Sequence, residues 1–399
     1  MCSREDEYLL LQRGLKVLQE NVVLEETAGN RCLPVIGEPL TEDSRGAVIH
    51  RIERIVLDLL QQLAAAGPPG RVHLLVPRHS QWDTMAEDQG RAGQQVPGLR
   101  GRGLVSKLRF DVPSSQRKFA ILVLLLSRVH TLLSTRSSGT RRQLYYEEVA
   151  FLRSQREVDE GALGVSRVLG LPPWHLGLLA TAKGLVAGDL ALSLNDGEVL
   201  DCRHKPGGVL IPGDVSAIER VESAARFILV LEKDTIFQRV LQEGILDRLG
   251  PCIVVTGKGY PDVSTRVLLA RLEAELQLPM LAVVDADPYG VHIMCVYRFG
   301  TKTCPLPLRS MRWLGVLPSE LSSLGVRGVP LTDRDESLAR SLLDERQQQQ
   351  RRLPNAVRQE VETILSLGMK AEVDALIEFA PCYLTDAYLP NKIAAANVL

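Results

Sequence analysis

Three apolar runs in the second half of the chain, Phe227–Leu231, Cys252–Thr256 and Met280–Val284, constrain its fold more than any other feature. Each is too short for a helix and apolar almost throughout, which is how a strand buried on both faces reads. Helical periodicity follows each run, over Thr235 to Leu246, Val263 to Leu276 and Tyr289 to Phe299, and Met311 to Val316 adds a further strand. Such alternation predicts a mostly parallel, Rossmann-like sheet with helices on its faces. In such sheets ligands sit at the C-terminal ends of the strands.

Those ends are acidic. Glu232 follows Leu231 directly, with Lys233 and Asp234 beside it, and the third run closes as Val284-Asp285-Ala286-Asp287-Pro288-Tyr289-Gly290. Side chains alternate along a strand, so Asp285 and Asp287 point to one side. Unneutralised carboxylates at that range repel, and need a shared proton or a cation. With no His or Cys in the run, magnesium or manganese fits better than zinc. Asp-x-Asp has two other readings: a cap on the helix that follows, or the nucleophile motif of haloacid dehalogenase phosphatases. The latter normally stands early in its domain with a Thr soon after. Glu232, arriving from a second strand, favours the metal. Gly257-Lys258-Gly259 ends the middle strand without P-loop spacing, so no ATP site is expected.

At 399 residues and 45% hydrophobic, the chain is expected to form two domains with extensions, and its net charge of -1 selects no partner. The distribution says more, because Arg91 to Arg156 holds thirteen Lys or Arg against three acids, a candidate polyanion surface or a solvated helix face matched by acids elsewhere. Seven cysteines are scattered singly, which suits a reducing compartment and argues against zinc or disulfides. The longest apolar run, Phe119 to Leu126, is eight residues against the roughly 20 of a membrane span, so no membrane association is expected.

The first half carries a second pattern. After a short helix over Glu5 to Glu20, Arg45 to Ala65 places Val48, Ile52, Ile55, Val56, Leu59, Leu60 and Leu63 at helical spacing, a stripe for a core or a partner. A Gly/Arg/Gln-rich loop runs from Glu87 to Arg102, and residues 1–105 form an N-terminal arm. Three helices then follow, one capped near Ser114 or Ser115, one capped at Thr140, and one over Val158 to Leu169. Asn195-Asp196-Gly197 makes a hairpin of the flanking apolar segments. Three helices and a hairpin predict a winged helix over residues 106–204, with Lys205 to Gly213 a linker to a domain over 214–399.

Arg141-Arg142-Gln143-Leu144-Tyr145-Tyr146 stands in the second helix. Adjacent helical residues diverge by about 100°, so only one tyrosine shares the side of Arg142, and that is Tyr146, four residues on. A neighbouring cation favours the phenolate and steadies a phosphate. On these residues alone the plainer reading is that both rings are core aromatics of the helix.

The strand ending in Glu, with a later one ending in Asp-x-Asp, resembles the Toprim fold. Together with Arg142 to Tyr146, Lys183-Gly184-Leu185-Val186-Ala187-Gly188, Leu231-Glu232-Lys233-Asp234, Val255 to Asp262, Val284 to Gly290 and Arg312-Trp313-Leu314-Gly315, it resembles the topoisomerase VI A-subunit family, in particular its eukaryotic meiotic branch. The likeness runs from about residue 45 to Lys392. It implies a 5Y-CAP-type winged helix joined to a Toprim domain. It also implies cleavage of double-stranded DNA by Tyr146 with Arg142 assisting, leaving a 5′-phosphotyrosyl link and starting meiotic recombination. Magnesium, or manganese, would be held by Glu232, Asp285 and Asp287, with Lys183 and Lys233 touching the DNA backbone. The family further implies a nuclear homodimer with composite sites and a B-type, GHKL-fold partner; the amphipathic stripe of the helix around Arg45 to Ala65, with Ile52 and Leu59, is the docking surface expected for that partner. Gln143 stands where the family usually has Asp, and Leu231 where Val is common. A Toprim nuclease using metal-activated water and a non-catalytic DNA-binding scaffold are the alternatives.

Overall fold

The computed structural model describes residues 4–27, 40–65, 72–78, 105–301, 304, 306–344 and 353–399. Both the Glu87 to Arg102 loop and the Gln347 to Gln350 run lie outside the described residues. The described chain falls into two compact units. One is built within Glu38–Thr181; the other combines the N-terminal helix α1 (Arg4–Thr27) with most of the chain from Ala182 onward.

The first unit is mostly helical. It contains α2 (Glu42–Ala65), an antiparallel pair β1 (His73–Pro77) and β2 (Val105–Arg109), then α3 (Pro113–Thr135), α4 (Arg141–Glu147) and α5 (Gln155–Leu169). Gly139–Thr140 also pairs, parallel, with Leu178–Leu179. Buried Leu125, Leu126 and Val129 of α3 meet Val158 and Val165 of α5. The helices approach closely because Gly161 has no side chain: a Cβ there would meet the Leu125 methyl and lie 2.9 Å from Ile121 Cγ2. By length and apolar composition alone α3 could also cross a membrane. Here, seven of its apolar residues are buried in this core.

The stripe of α2 is divided. Ile52 and Leu59, expected on a docking face, are buried in the unit's own core, whereas Val56, Leu57, Leu60 and Leu63 are exposed. A helix only about 10 Å across presents one arc to the core and leaves the neighbouring arc to solvent.

The second unit is organised on a six-stranded sheet. Its strands come from β3 (Leu185–Gly188), β6 (Val209–Leu210), β8 (Ile228–Leu231), β9 (Ile253–Thr256), β10 (Met280–Val283) and β11 (Met311–Gly315), in the order β11-β10-β8-β9-β3-β6. The four strands from β11 to β9 are parallel, as the apolar runs predict, and β3 and β6 add antiparallel. A separate antiparallel sheet joins β4 (Ala191–Leu194) to β5 (Val199–Asp201) and β7 (Ile218–Glu222).

These pairings relocate two expectations. The Asn195-Asp196-Gly197 hairpin lies in the sheet unit, because β4 pairs with β7 of that unit, and so it is not a wing of the helical one. The Lys205 to Gly213 stretch is no interdomain linker, since it supplies β6 to the same sheet; the units divide near Thr181.

Helices cover both sheet faces: α6 (Asp234–Gln242), α7 (Val263–Leu276) and α8 (Pro288–Phe299), followed by α9 (Asp333–Leu343), α10 (Asn355–Leu367) and α11 (Leu389–Ala394). The predicted Thr235 to Leu246 helix is broken at Gly244, whose φ of +76° suits glycine. Leu229, Leu231, Leu281 and Val283 share one core with Phe237 of α6, Leu389 and Ile393 of α11, and Leu11 and Leu15 of α1. The helix expected over Glu5 to Glu20 is present as the longer α1 and is integral to this core; Gly14 lets it settle on the Ile393 and Ala394 carbonyls.

Substituting Gly161→Val forces a branched side chain into the α3–α5 contact and should destabilise the protein by about 1–3 kcal/mol. Gly46→Ala on α2, where a Cβ meets nothing within 4 Å, should stabilise by about 0.5–1 kcal/mol. Urea unfolding of the two variants checks both signs.

Candidate active site

Strand register brings the acids together. Leu231 pairs with Val283, so β8 and β10 end side by side and Glu232 emerges next to Val284. Strand order reverses here, β9 lying on one side of β8 and β10 on the other, which opens a crevice at the strand ends. Glu232 N–H donates to Val283 O at 3.1 Å, and Glu232 Oε2 accepts from Asp285 N–H at 2.9 Å.

Asp285 is only 5% exposed. Its Oδ1 accepts from Val373 N–H at 2.9 Å and its Oδ2 lies 3.1 Å from Lys233 Nζ. Asp287 realises the capping reading: its Oδ1 accepts from Gly290 N–H at 2.6 Å at the start of α8. Gly290 is required there, since a Cβ would press on the Asp285 backbone.

Burial, then the charge of Asp285, pushes Glu232 up from 4.5 to about 7, against the hydrogen bond from Asp285 N–H. Burial also raises Asp285 and Asp287 above the usual carboxylate range. This is the electrostatic state a cation relieves. Among the described residues, however, no three His, Cys, Asp or Glu side chains stand at ligand spacing. Each acid spends one oxygen on a backbone N–H, and Asp285 gives its other to Lys233. The donor set, oxygen only, buried and electrostatically strained, fits a hard divalent cation, with Glu232 Oε1 and Asp287 Oδ2 outside those backbone bonds.

Lys233 sits inside this group. Its ammonium reaches Glu372 Oε2 at 2.6 Å, Asp374 Oδ2 at 3.0 Å and Asp285 Oδ2. Burial alone would lower its pKa; the three carboxylates raise it. Sequence reasoning missed Glu372 and Asp374, whose acid-x-acid spacing is a weak local signal. They are delivered by a turn of the tail whose Ala371 bridges Ala286. Lys183 lies at the same sheet edge: its backbone N–H donates to Asp262 Oδ2 at 2.8 Å and its Nζ to Lys258 O at 3.1 Å.

In the helical unit, Thr140 Oγ1 accepts from Gln143 N–H and caps α4. Leu144 is its buried anchor, and Tyr145 leans on the same core. Tyr146 stands 59% exposed, with the Arg142 guanidinium carbon 5.9 Å from its ring centroid. Gln143 Nε2 donates to Glu147 Oε1 at 2.9 Å. Much of the basic window is matched internally: Arg128 pairs with Glu147 and Glu148, Arg117 with Glu157, Arg141 with Asp159 and Arg156 with Glu160. Arg142 has no carboxylate partner among the described residues.

Comparison with known proteins covers both halves of this arrangement. The family model for the Toprim domain of the topoisomerase 6 A-subunit/Spo11 group matches residues 227–393, which include Glu232, Asp285 and Asp287. That of Type IIB DNA topoisomerase matches residues 117–178, which include Arg142 and Tyr146. The chain is 33% identical over 358 residues to the meiotic recombination protein SPO11 of Mus musculus, covering 88% of each. It is 32% identical over 388 residues to that of Homo sapiens, covering 94% of each. With the A3 subunit of DNA topoisomerase 6 from Oryza sativa subsp. indica it shares 39% identity over 289 residues, 70% of this chain and 64% of that one. A Toprim sheet with its acids at the strand mouth, relatives of this extent and a match to the type IIB topoisomerases together establish that the chain belongs to the Spo11/topoisomerase VI A-subunit family.

Proposed function

We propose that this chain cleaves double-stranded DNA by transesterification, with Tyr146 as nucleophile, and that two copies make the double-strand break that starts meiotic recombination on nuclear DNA. The observation that carries this reading is the division of the tyrosine pair, Tyr145 packed and Tyr146 exposed beside Arg142. Tyr146 Oη forms a bond to the phosphorus of a DNA phosphodiester and loses its proton. The bond from phosphorus to the 3′-oxygen breaks, and that oxygen takes up a proton, leaving a 5′-phosphotyrosyl link and a 3′-hydroxyl. One phosphoester replaces another at nearly equal energy, so no ATP is needed. Arg142 offers a planar guanidinium fork that matches a phosphate.

Glu232, Asp285 and Asp287 are assigned to a divalent cation, Mg2+ or Mn2+, which when bound supplies charge stabilisation to the phosphate. Lys183, whose ammonium spends one donor on Lys258 O, keeps others for the DNA backbone. Lys233 is assigned differently from its expected DNA contact, because three carboxylates already take its three N–H donors. Residence of Tyr146 and the acids in separate compact units suits the family's composite homodimeric site. The helical unit is read as the 5Y-CAP-type winged helix, with α3, α4 and α5 as its helices. A B-type, GHKL-fold partner is assigned to the exposed arc of α2.

Tyr146→Phe should reduce covalent attachment of DNA by at least about 10^4-fold, measured by end-labelling DNA recovered with the denatured protein. Breaks that persist in this variant would transfer the chemistry to metal-activated water. The partner assignment predicts that Leu57→Asp with Leu60→Asp abolishes co-purification of the B-type partner while leaving thermal unfolding unchanged. Retained partner would move the docking site elsewhere.

The raised Glu232 gives a pH signature. Its folded-state pKa, about 7 against 4.5, means the fold holds a proton the unfolded chain has released, so stability falls as pH rises from about 4.5 to about 7. A cation offsets that loss. Mg2+ should therefore raise the melting temperature more at about pH 8 than at about pH 5. Glu232→Gln should raise the metal-free melting temperature at the higher pH and remove the Mg2+ increment. Differential scanning calorimetry measures both.

A further inference from the structure

The tail segment Ala371–Asp374 is fastened to the acidic loop by its backbone. Ala286 N–H donates to Ala371 O at 2.9 Å, Ala371 N–H donates to Ala286 O at 3.3 Å, and Val373 N–H donates to Asp285 Oδ1 at 2.9 Å. Val373 has helical backbone angles, φ −55° and ψ −32°, so the chain bends between residues 372 and 374 as it enters the short helical turn Asp374–Ile377. Both carboxylates meet there on the Lys233 ammonium, at 2.6 Å and 3.0 Å, while Asp285 Oδ2 takes its third N–H at 3.1 Å. Glu372 and Asp374 are 66% and 47% exposed, whereas the Asp285 side chain is 7% exposed. One ammonium is thus shared between a buried acid assigned to the cation and two outer acids with no other described role.

An ammonium on Asp285 is a competitor for any cation that uses the same oxygen. A buried carboxylate with a single cationic partner would hold it tightly, because nothing else neutralises either charge. Two outer carboxylates change that balance, since they give Lys233 an alternative that keeps its charge satisfied when it leaves Asp285.

We propose that Glu372 and Asp374 are positioning residues of the cation site, which draw the Lys233 ammonium off Asp285 so that a divalent cation can take its place. This deepens the metal assignment made above and rests on it. Neither residue touches the reacting atoms. They act through Lys233, which serves as a tethered cation holding Asp285 in place in the metal-free protein and retiring to the outer acids when metal binds. Lys233 thereby keeps the buried acid neutralised in both states.

The test is Mn2+ binding to the full chain without DNA, read by electron paramagnetic resonance titration. Glu372→Gln with Asp374→Asn, isosteric changes at solvent-accessible positions, should weaken Mn2+ binding by about tenfold or more. Adding Lys233→Met to that double variant removes the competitor and should restore most of the affinity. Lys258→Met added instead removes the same charge from the same end of the sheet, where Lys258 pairs with Asp234 at 3.0 Å, and should not restore it. Unchanged affinity in the double variant overturns the proposal. So does equal rescue by Lys233→Met and Lys258→Met, which would mean that only net charge matters. Asp287→Asn separates the layers: if the unaltered protein binds Mn2+ and this variant binds it equally well, the metal assignment fails and the proposal falls with it.

Discussion

Asp285 is a carboxylate almost out of reach of water, and a buried charge without partners costs several kcal/mol. Much of the sheet unit is arranged around meeting that demand. The backbone of Val373 covers one oxygen, Lys233 covers the other, and the amide of Asp285 itself is given to Glu232. For Val373 to reach it, the tail must return to the strand mouth, and the Ala286–Ala371 bridge pins it there. For Lys233 to reach it, β8 and β10 must be neighbours in register, as they are. A one-residue slip would turn Glu232 and Lys233 to opposite faces.

The helical unit solves a simpler problem: to hold one tyrosine out and its neighbour in. A helix of seven residues is marginal on its own, so α4 is fixed from outside. Thr140 caps its start, Leu144 anchors its inner face, and Arg128 binds the acids at its end. The roughly 100° step between consecutive residues then separates Tyr145 from Tyr146.

What was legible in the sequence is what local chemistry controls. Apolar runs ending in acids located the sheet, its parallel core and the trio Glu232, Asp285 and Asp287, and the spacing of Arg142 and Tyr146 selected the exposed ring. What was not legible depends on distant partners. The period of Ala191–Leu194 says strand, but only its pairing with Ile218–Glu222 says which unit owns it. The stripe of α2 says amphipathic, but which arc is covered depends on α3 and β1. The basic window looked unmatched because it stopped at Arg156, just short of Glu157, Asp159 and Glu160, which pair with Arg117, Arg141 and Arg156. Lys233 read as a free cation beside an acid. Its saturation by Glu372 and Asp374 comes from residues about 140 positions away.

The seating of α1 on α11 has a consequence for how the molecule comes into being. Leu11 and Leu15 complete a core whose other half, Leu389 and Ile393, is translated far later. On the ribosome the apolar face of α1 waits, uncovered, while the entire helical unit is made and while the sheet assembles. Its docking closes a loop of more than 370 residues, and loop-closure entropy grows only slowly with length. The wait is therefore long in time but modest in free energy. Through that interval a growing chain exposes one apolar helix to chaperones and neighbouring chains, and the sheet unit becomes whole only when these two helices meet.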